Sequence, residues 1–212
     1  MFLIIKYISI FSILPAAVLA VGRFKYFLLK DVKLLAIIIL FSVLGEITSF
    51  YANKFHYSNP LLPSIHSVLE LLLICLYFTA QPKFNKYRLP YLIIWFCTSI
   101  YMLYAAIKNP ALYPSEAKVT QSIFIVCMCI FHAYKWLTFE TAKLYEILVI
   151  LAFSTYYIIT LSSFMYANRL PTEWNNLFWM LNDLFGIAAN ISLFLALHNY
   201  LTHYGFKHQQ RS

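Results

Sequence analysis

The sequence predicts an all-α, polytopic membrane protein: a seven-transmembrane-helix bundle with its N-terminus outside and its C-terminus in the cytoplasm. Three observations carry this prediction: the composition, the spacing of the apolar runs and the distribution of basic residues. With 62% hydrophobic and 11% charged residues in a chain of 212, and a mean hydropathy of +0.71, the chain is too apolar for a soluble domain. Spans of ~20 residues leave no room for a separate soluble domain. We therefore expect one helix-bundle domain over residues 1–212.

Seven apolar runs of sufficient length follow one another along the chain. They cover residues 7–22, 34–53, 61–80, 91–107, 119–137, 147–167 and 176–200. Pro15 is the only proline well inside a run, so it predicts a kink in the first helix. This run ends in small residues, and a cleaved signal peptide is the alternative. Cleavage after Ala20 would translocate the basic segment that follows it, so we keep the run as a helix.

The basic residues decide the predicted orientation. Of the sixteen, eleven lie in segments on one side of the predicted membrane: Arg23, Lys25, Lys30, Lys33, Lys83, Lys86, Arg88, Lys135, Lys143, Lys207 and Arg211. The other side holds five: Lys6, Lys54, Lys108, Lys118 and Arg169. Because cytoplasmic segments are enriched in lysine and arginine, the richer side is predicted to be inside. The net charge of +8 is explained in this way, and no nucleic-acid partner is expected.

Three carboxylates lie well within the predicted spans: Glu46, Glu70 and Asp183. Each costs about 2.5–3.5 kcal/mol at a helix centre, so such residues should face the bundle interior. At 1.5 Å per residue, all three lie roughly 10–13 Å below the outer ends of their helices. We therefore expect them to share one layer in the outer half of the membrane.

Other polar residues fall on the same predicted faces. Ser49 follows Glu46 by three residues, and His66 precedes Glu70 by four, spacings that place each pair on one helix face. The predicted outward-facing polar pocket is lined by Glu46, Ser49, His66, Glu70, Gln121, Asn182, Asp183 and Asn190. Its ligand is expected to be a small molecule, a cation or a proton.

Two further interpretations of these residues stay open. His66, Glu70, Glu46 and Asp183 form a nitrogen-and-oxygen set suited to a divalent metal. Alternatively, the polar side chains hydrogen-bond one another and hold the helices in register.

Several cofactors and motifs are not expected. The seventh predicted helix has no lysine for a retinal Schiff base, and its His198 and His203 are five apart, unlike the HxxxH pair of seven-helix ceramidase-type hydrolases. Together with His132 these histidines suggest haem, but histidines near an interface usually lie among water and headgroups, so haem is not favoured. The four cysteines lie in apolar runs and are expected to pack as small hydrophobic residues.

The segments PSIHSVLELLLICLYF and NNLFWMLNDLFGIAANISLFLAL, with the short seven-helix layout, resemble a group of small, uncharacterised seven-helix inner-membrane proteins of Bacteroidota. The resemblance spans most of the chain. It implies seven helices and a bacterial inner membrane, but no activity.

Three functions are compatible with the predicted pocket. The first is a sensory or binding module, whose state is read by a cytoplasmic or membrane signalling partner. The second is an enzyme, a metal-dependent intramembrane lipid hydrolase. The third is a proton-linked transporter, although no inverted repeat is detectable.

Overall fold

A computed structural model of the chain describes residues 2–54, 61–108, 115–139, 142–166 and 171–205. Within these ranges all regular structure is helical, and no strand occurs. The α-helices are α1 (Phe2–Ser12), α2 (Leu14–Arg23), α3 (Lys30–Lys54), α4 (Leu61–Ala80), α5 (Arg88–Lys108), α6 (Ser115–Phe139), α7 (Leu144–Tyr166) and α8 (Thr172–Tyr200). Counting α1 and α2 as one broken helix, the all-helical prediction and its seven helices are confirmed.

Within the described ranges, six helices are long and apolar enough to cross a membrane. They are Ile4–Tyr26, Leu62–Ala80, Lys83–Lys108, Lys118–Thr138, Leu144–Tyr166 and Trp174–Tyr204. They indicate a multi-pass membrane protein. The remaining predicted span is α3, which carries Lys30, Asp31 and Lys33 in its first turn and Glu46 farther along.

The first predicted helix is interrupted near its centre, at Ile13. α1 ends at Ser12, and α2 begins at Leu14 with Pro15 in its first turn. Pro15 has no N–H, and its ring excludes the carbonyl four residues earlier, so the hydrogen-bond ladder breaks here. The ladder resumes when the Ala17 N–H donates to the Ile13 carbonyl at 3.0 Å. The helix is thus broken at Ile13, two residues before Pro15, where the sequence predicts a kink.

The chain divides into two compact units, residues 1–28 with 122–212 and residues 29–121. The prediction of a single bundle over the whole chain stays a prediction, and each unit is described separately below.

In the first unit, α8 packs against α7 as an antiparallel hairpin. Thr160 near the end of α7 donates to the Asn182 side chain early in α8, at 3.1 Å. At the other end of the hairpin, Tyr145 and Tyr200 stack edge to face with ring centroids 5.5 Å apart. The two helices thus contact each other along their lengths.

On another side of α8, the N-terminal helices run parallel to it. The Asn190 side chain donates to the Ser12 hydroxyl at 2.8 Å. Further along both segments, the Leu28 N–H donates to the Tyr200 hydroxyl at 3.2 Å. Because later residues of the N-terminal segment meet later residues of α8, the two run in the same direction.

The second unit is built on α4. α3 and α5 both pack against it, and a 3₁₀ turn, Pro82–Tyr87, joins α4 to α5. The Trp95 indole on α5 donates to the Val68 carbonyl of α4 at 3.0 Å. Leu71 and Phe78 of α4 are fully buried. α4 is therefore the central helix of this unit.

Helix α6 determines where Cys127, Cys129 and Lys118 lie. Cys127 is exposed and Cys129 is buried, because residues two apart on a helix lie on different faces. Lys118, counted as an outer-loop cation from the sequence, is instead part of α6, which begins at Ser115.

Candidate functional site

The predicted pocket residues are distributed between the two units. Residues 29–121 contain Glu46, Ser49, His66, Glu70 and Gln121, and the other unit contains Asn182, Asp183 and Asn190. Convergence of all eight on one pocket therefore stays a prediction. A shallow apolar groove along α1 contains none of them; it is lined by Ile4, Tyr7, Ile8, Phe11 and Ser12.

Glu70 lies in a charged cluster between α4 and the first turns of α6. Its Oε2 is 3.4 Å from Lys118 Nζ and accepts a hydrogen bond from Gln121 Nε2 at 3.2 Å. Lys118 also donates to Gln121 Oε1 at 2.9 Å, and Gln121 Nε2 donates to the Ser67 carbonyl at 3.1 Å. The four residues Ser67, Glu70, Lys118 and Gln121 form what we term the Glu70 cluster.

Helical periodicity explains why these residues meet. Ser67 and Glu70 are three apart on α4, and Lys118 and Gln121 are three apart on α6, so each pair lies on one face. The Gln121 side chain is fully buried, whereas those of Lys118 and Glu70 are 15% and 13% exposed. The cluster therefore consists of the buried Gln121 amide and, next to it, the partly accessible ion pair between Lys118 and Glu70.

Lys118 is the member of the Glu70 cluster that the sequence did not predict. Its position beside a predicted helix end made it resemble an interfacial cation. Its three-residue spacing from Gln121 could have placed both residues on one helix face. The acid that Lys118 pairs with, however, is 48 residues away in the chain, and the spacing does not reveal it.

His66 is held against the backbone of α3. Its ring stacks on Phe41 with centroids 4.5 Å apart and planes at 8°, and Nε2 lies 3.3 Å from the Phe41 carbonyl oxygen. A carbonyl only accepts, so this contact requires the proton on Nε2. The ring fits because residue 45 is glycine: a Cβ there would overlap Nε2.

Glu46 does not follow the prediction for an inward-facing acid, because its side chain is exposed on α3. The adjacent positions Leu44 and Ile47 are exposed as well. The side chain of Ser49 lies outside the described residues.

The polar residues of α8 are directed to different neighbours. Asn182 accepts from Thr160 of α7, and Asn190 donates to Ser12 of α1. Asp183 is half-buried, and Lys6 of α1 is near enough to act on its charge. Both asparagines therefore join helices, in agreement with the interpretation of these residues as structural.

The metal hypothesis gains no support from the geometry. Among the described residues, no group of three or more histidine, cysteine, aspartate or glutamate side chains could hold a metal ion. Of the proposed ligands, His66 contacts a carbonyl through Nε2, and Glu70 is paired with Lys118. The histidines considered for haem differ in environment: His132 is fully buried, while His198 and His203 are exposed.

Comparison with known proteins gives no match to a protein family, a curated protein or a solved structure.

We predict that Gly45→Ala lowers the stability of the protein by about 1–3 kcal/mol, the usual cost of overpacking. The new methyl group must displace His66 from Phe41. Thermal unfolding in detergent measures the effect, and the same substitution should cost little in a His66→Ala background. Gly22→Ala is the matched control, because a Cβ at Gly22 has no neighbour within 4 Å. Equal melting temperatures for the two alanine variants would contradict this role of Gly45.

We also predict that Lys118→Met destabilises the protein more than Glu70→Gln does. The first substitution leaves a partly buried carboxylate without its cation, at a cost of about 1–3 kcal/mol; the second keeps an acceptor for Gln121. The double variant should recover stability relative to Lys118→Met. Lys108→Met, at an exposed position, controls for the loss of a lysine. Strictly additive effects in this double-mutant cycle would show that the pair is not coupled.

Proposed function

We propose that the protein is a seven-span protein of a bacterial inner membrane, with its N-terminus outside and its C-terminus in the cytoplasm. The parallel contact between the N-terminal helices and α8 supports an odd number of spans, because consecutive spans alternate in direction. The six apolar helices together with α3 make seven. With 25 residues, α3 is ~37 Å long, enough to cross a ~30 Å hydrocarbon core.

Reporter fusions after Phe27, Lys54 and the C-terminus test this topology. A fluorescent protein that matures only in the cytoplasm should be active after Phe27 and at the C-terminus, and inactive after Lys54. An alkaline phosphatase fusion should give the opposite pattern. Cytoplasmic activity after Lys54 would mean that α3 does not cross the membrane.

We further propose that the protein is a binding and sensing module in which the Glu70 cluster takes up a small cation. The observation that carries this proposal is the partly accessible ion pair that joins α4 to α6. At 3.4 Å and 3.2 Å, the contacts to Glu70 Oε2 are longer than the 2.7–2.9 Å typical of charge-assisted hydrogen bonds. A small cation can therefore approach the carboxylate more closely than Lys118 does.

The chemistry of the cluster favours an ammonium-type ligand. Glu70 supplies negative charge, and Gln121 Oε1, which accepts from Lys118 at 2.9 Å, is a second acceptor. A primary ammonium has three donors and can use both oxygens. A ligand that takes these acceptors releases Lys118 and with it the polar link between α4 and the start of α6.

Release of Lys118 would provide the signal. A ligand shifts a conformational equilibrium only by its differential affinity for the two states. Here the state in which Lys118 has left Glu70 binds the cation better. In this proposal a cytoplasmic or membrane partner detects the change in α6.

The other two candidate functions have less support. A metal-dependent lipid hydrolase needs a ligand set that does not occur among the described residues. For a proton-linked transporter, the Glu70 cluster offers one acid–base pair but no chain of them within the described part of unit 29–121.

Ligand-induced stabilisation of the reconstituted protein tests the proposal. Ethylammonium, Mg²⁺, Ca²⁺ and Zn²⁺ are titrated separately while thermal unfolding is followed. We expect saturable stabilisation by ethylammonium, its loss in Glu70→Gln, and tighter binding in Lys118→Met, where the competing lysine is gone. Glu146→Gln is the control for loss of a carboxylate elsewhere.

The titrations with Mg²⁺, Ca²⁺ and Zn²⁺ distinguish the proposed binding module from a metal-dependent hydrolase. Stabilisation by Zn²⁺ alone, abolished by His66→Ala, would favour the metal site instead. If no ion stabilises the wild-type protein, or if the effect persists in Glu70→Gln, the proposed function is wrong.

A further inference from the structure

Two exposed cations lie over one aromatic ring at the end of α2. The guanidinium carbon of Arg23 is 5.6 Å from the centroid of the Tyr26 ring, and Lys25 Nζ is 5.0 Å from it. Among the described residues, neither cation forms a salt bridge with a carboxylate. Two like charges beside one ring repel each other, and an anion bound between them would offset this repulsion.

The turn that carries these cations is held in place by the first unit. Phe27 is fully buried, and its ring meets those of Phe24 and Tyr200 edge to face at 6.3 Å and 6.1 Å. The following Leu28 N–H donates to the Tyr200 hydroxyl. The backbone that carries Arg23 and Lys25 is therefore anchored before any ligand arrives, which lowers the entropic cost of binding.

Exposed apolar residues lie on both sides of the cations in the chain. Val18 and Val21 of α2 are 71% and 66% exposed, and Leu28 after the turn is 52% exposed. A soluble anion would gain nothing from these side chains. An amphiphile with an anionic headgroup would contact the cations and the apolar residues at once.

We propose that Arg23, Lys25 and Tyr26 bind the phosphate headgroup of an anionic phospholipid, with the acyl chains along the exposed face of α2. Both cations donate to the phosphodiester oxygens. This step rests on the proposed topology, which places Arg23 and Lys25 at the cytoplasmic end of the first span, where the leaflet is rich in anionic lipid. The site is independent of the Glu70 cluster and does not depend on its proposed function.

Native mass spectrometry of the detergent-solubilised full chain tests the proposal, with phosphatidylglycerol and phosphatidylcholine titrated in parallel. Wild type should retain phosphatidylglycerol preferentially. Since each interfacial cation contributes about fivefold in affinity, Arg23→Gln/Lys25→Gln should bind it up to about 30-fold more weakly. Arg23→Lys/Lys25→Arg, which keeps both charges, should bind nearly as well as wild type. Lys108→Gln is the control, because Lys108 also lies over a tyrosine ring, that of Tyr104 at 5.8 Å.

Four outcomes would overturn the proposal. The first three are equal retention of the two lipids by wild type, equal phosphatidylglycerol binding by wild type and the double glutamine variant, and an equal loss in Lys108→Gln. Competition by soluble glycerol 3-phosphate at the same concentration would also overturn it, because the site would then be one for a soluble anion. A double variant that fails to fold is replaced by the single Lys25→Gln variant, for which about a fivefold loss is expected.

Discussion

A carboxylate within an apolar helix must find its partners inside the protein, and this constraint organises residues 29–121. Glu70 is satisfied by Lys118 and Gln121 from the start of α6. The other two helices that pack against α4, α3 and α5, are also joined to it by polar contacts. His66 reaches the backbone of α3, and Val68 accepts from α5 through Trp95. Between His66 and Glu70, one turn of α4 thus has a polar contact with each of the three helices around it.

α8 has a comparable role in the other unit. It bonds α7 through Asn182 and α1 through Asn190. Eight serine and threonine hydroxyls instead bond a carbonyl four residues earlier in the chain, those of Thr48, Thr79, Ser99, Thr138, Ser154, Ser162, Ser192 and Thr202. Such internal bonds satisfy the group without linking helices. Side chains that bond outside their own helix therefore mark the places where helices are held in register.

The two proposed sites differ in charge and in the ligand they fit. The Glu70 cluster presents a carboxylate and an amide, with 13% of the Glu70 side chain exposed. Arg23 and Lys25 present positive charge over Tyr26 beside exposed apolar residues. A small cation suits the first, and an anionic amphiphile suits the second. Since neither uses residues of the other, ligand sensing and lipid binding can be altered separately.

The number of helices and most of their extents followed from the sequence, because a run of about 20 apolar residues bounded by polar ones has few alternatives to a membrane-crossing helix. The break near Pro15 was equally local, since proline removes its own N–H and excludes a nearby carbonyl. The sequence also identified three unusual polar residues, Glu70, His66 and Gln121. A polar side chain in an apolar helix costs free energy whatever its partner is. None of these inferences needed a partner distant in the chain.

The tertiary structure decided which partner each polar residue has. Lys118 resembled an interfacial cation until its contact with an acid 48 residues away was seen. Gly45 leaves the space that the His66 ring occupies, a contact between residues 21 positions apart in the chain. Placing Glu46 within a span costs about as much free energy as placing Glu70 there. The side chain of Glu46 is nevertheless exposed. Helical periodicity places a residue on a face, but only the packing of another helix against that face determines whether its charge is paired, buried or exposed.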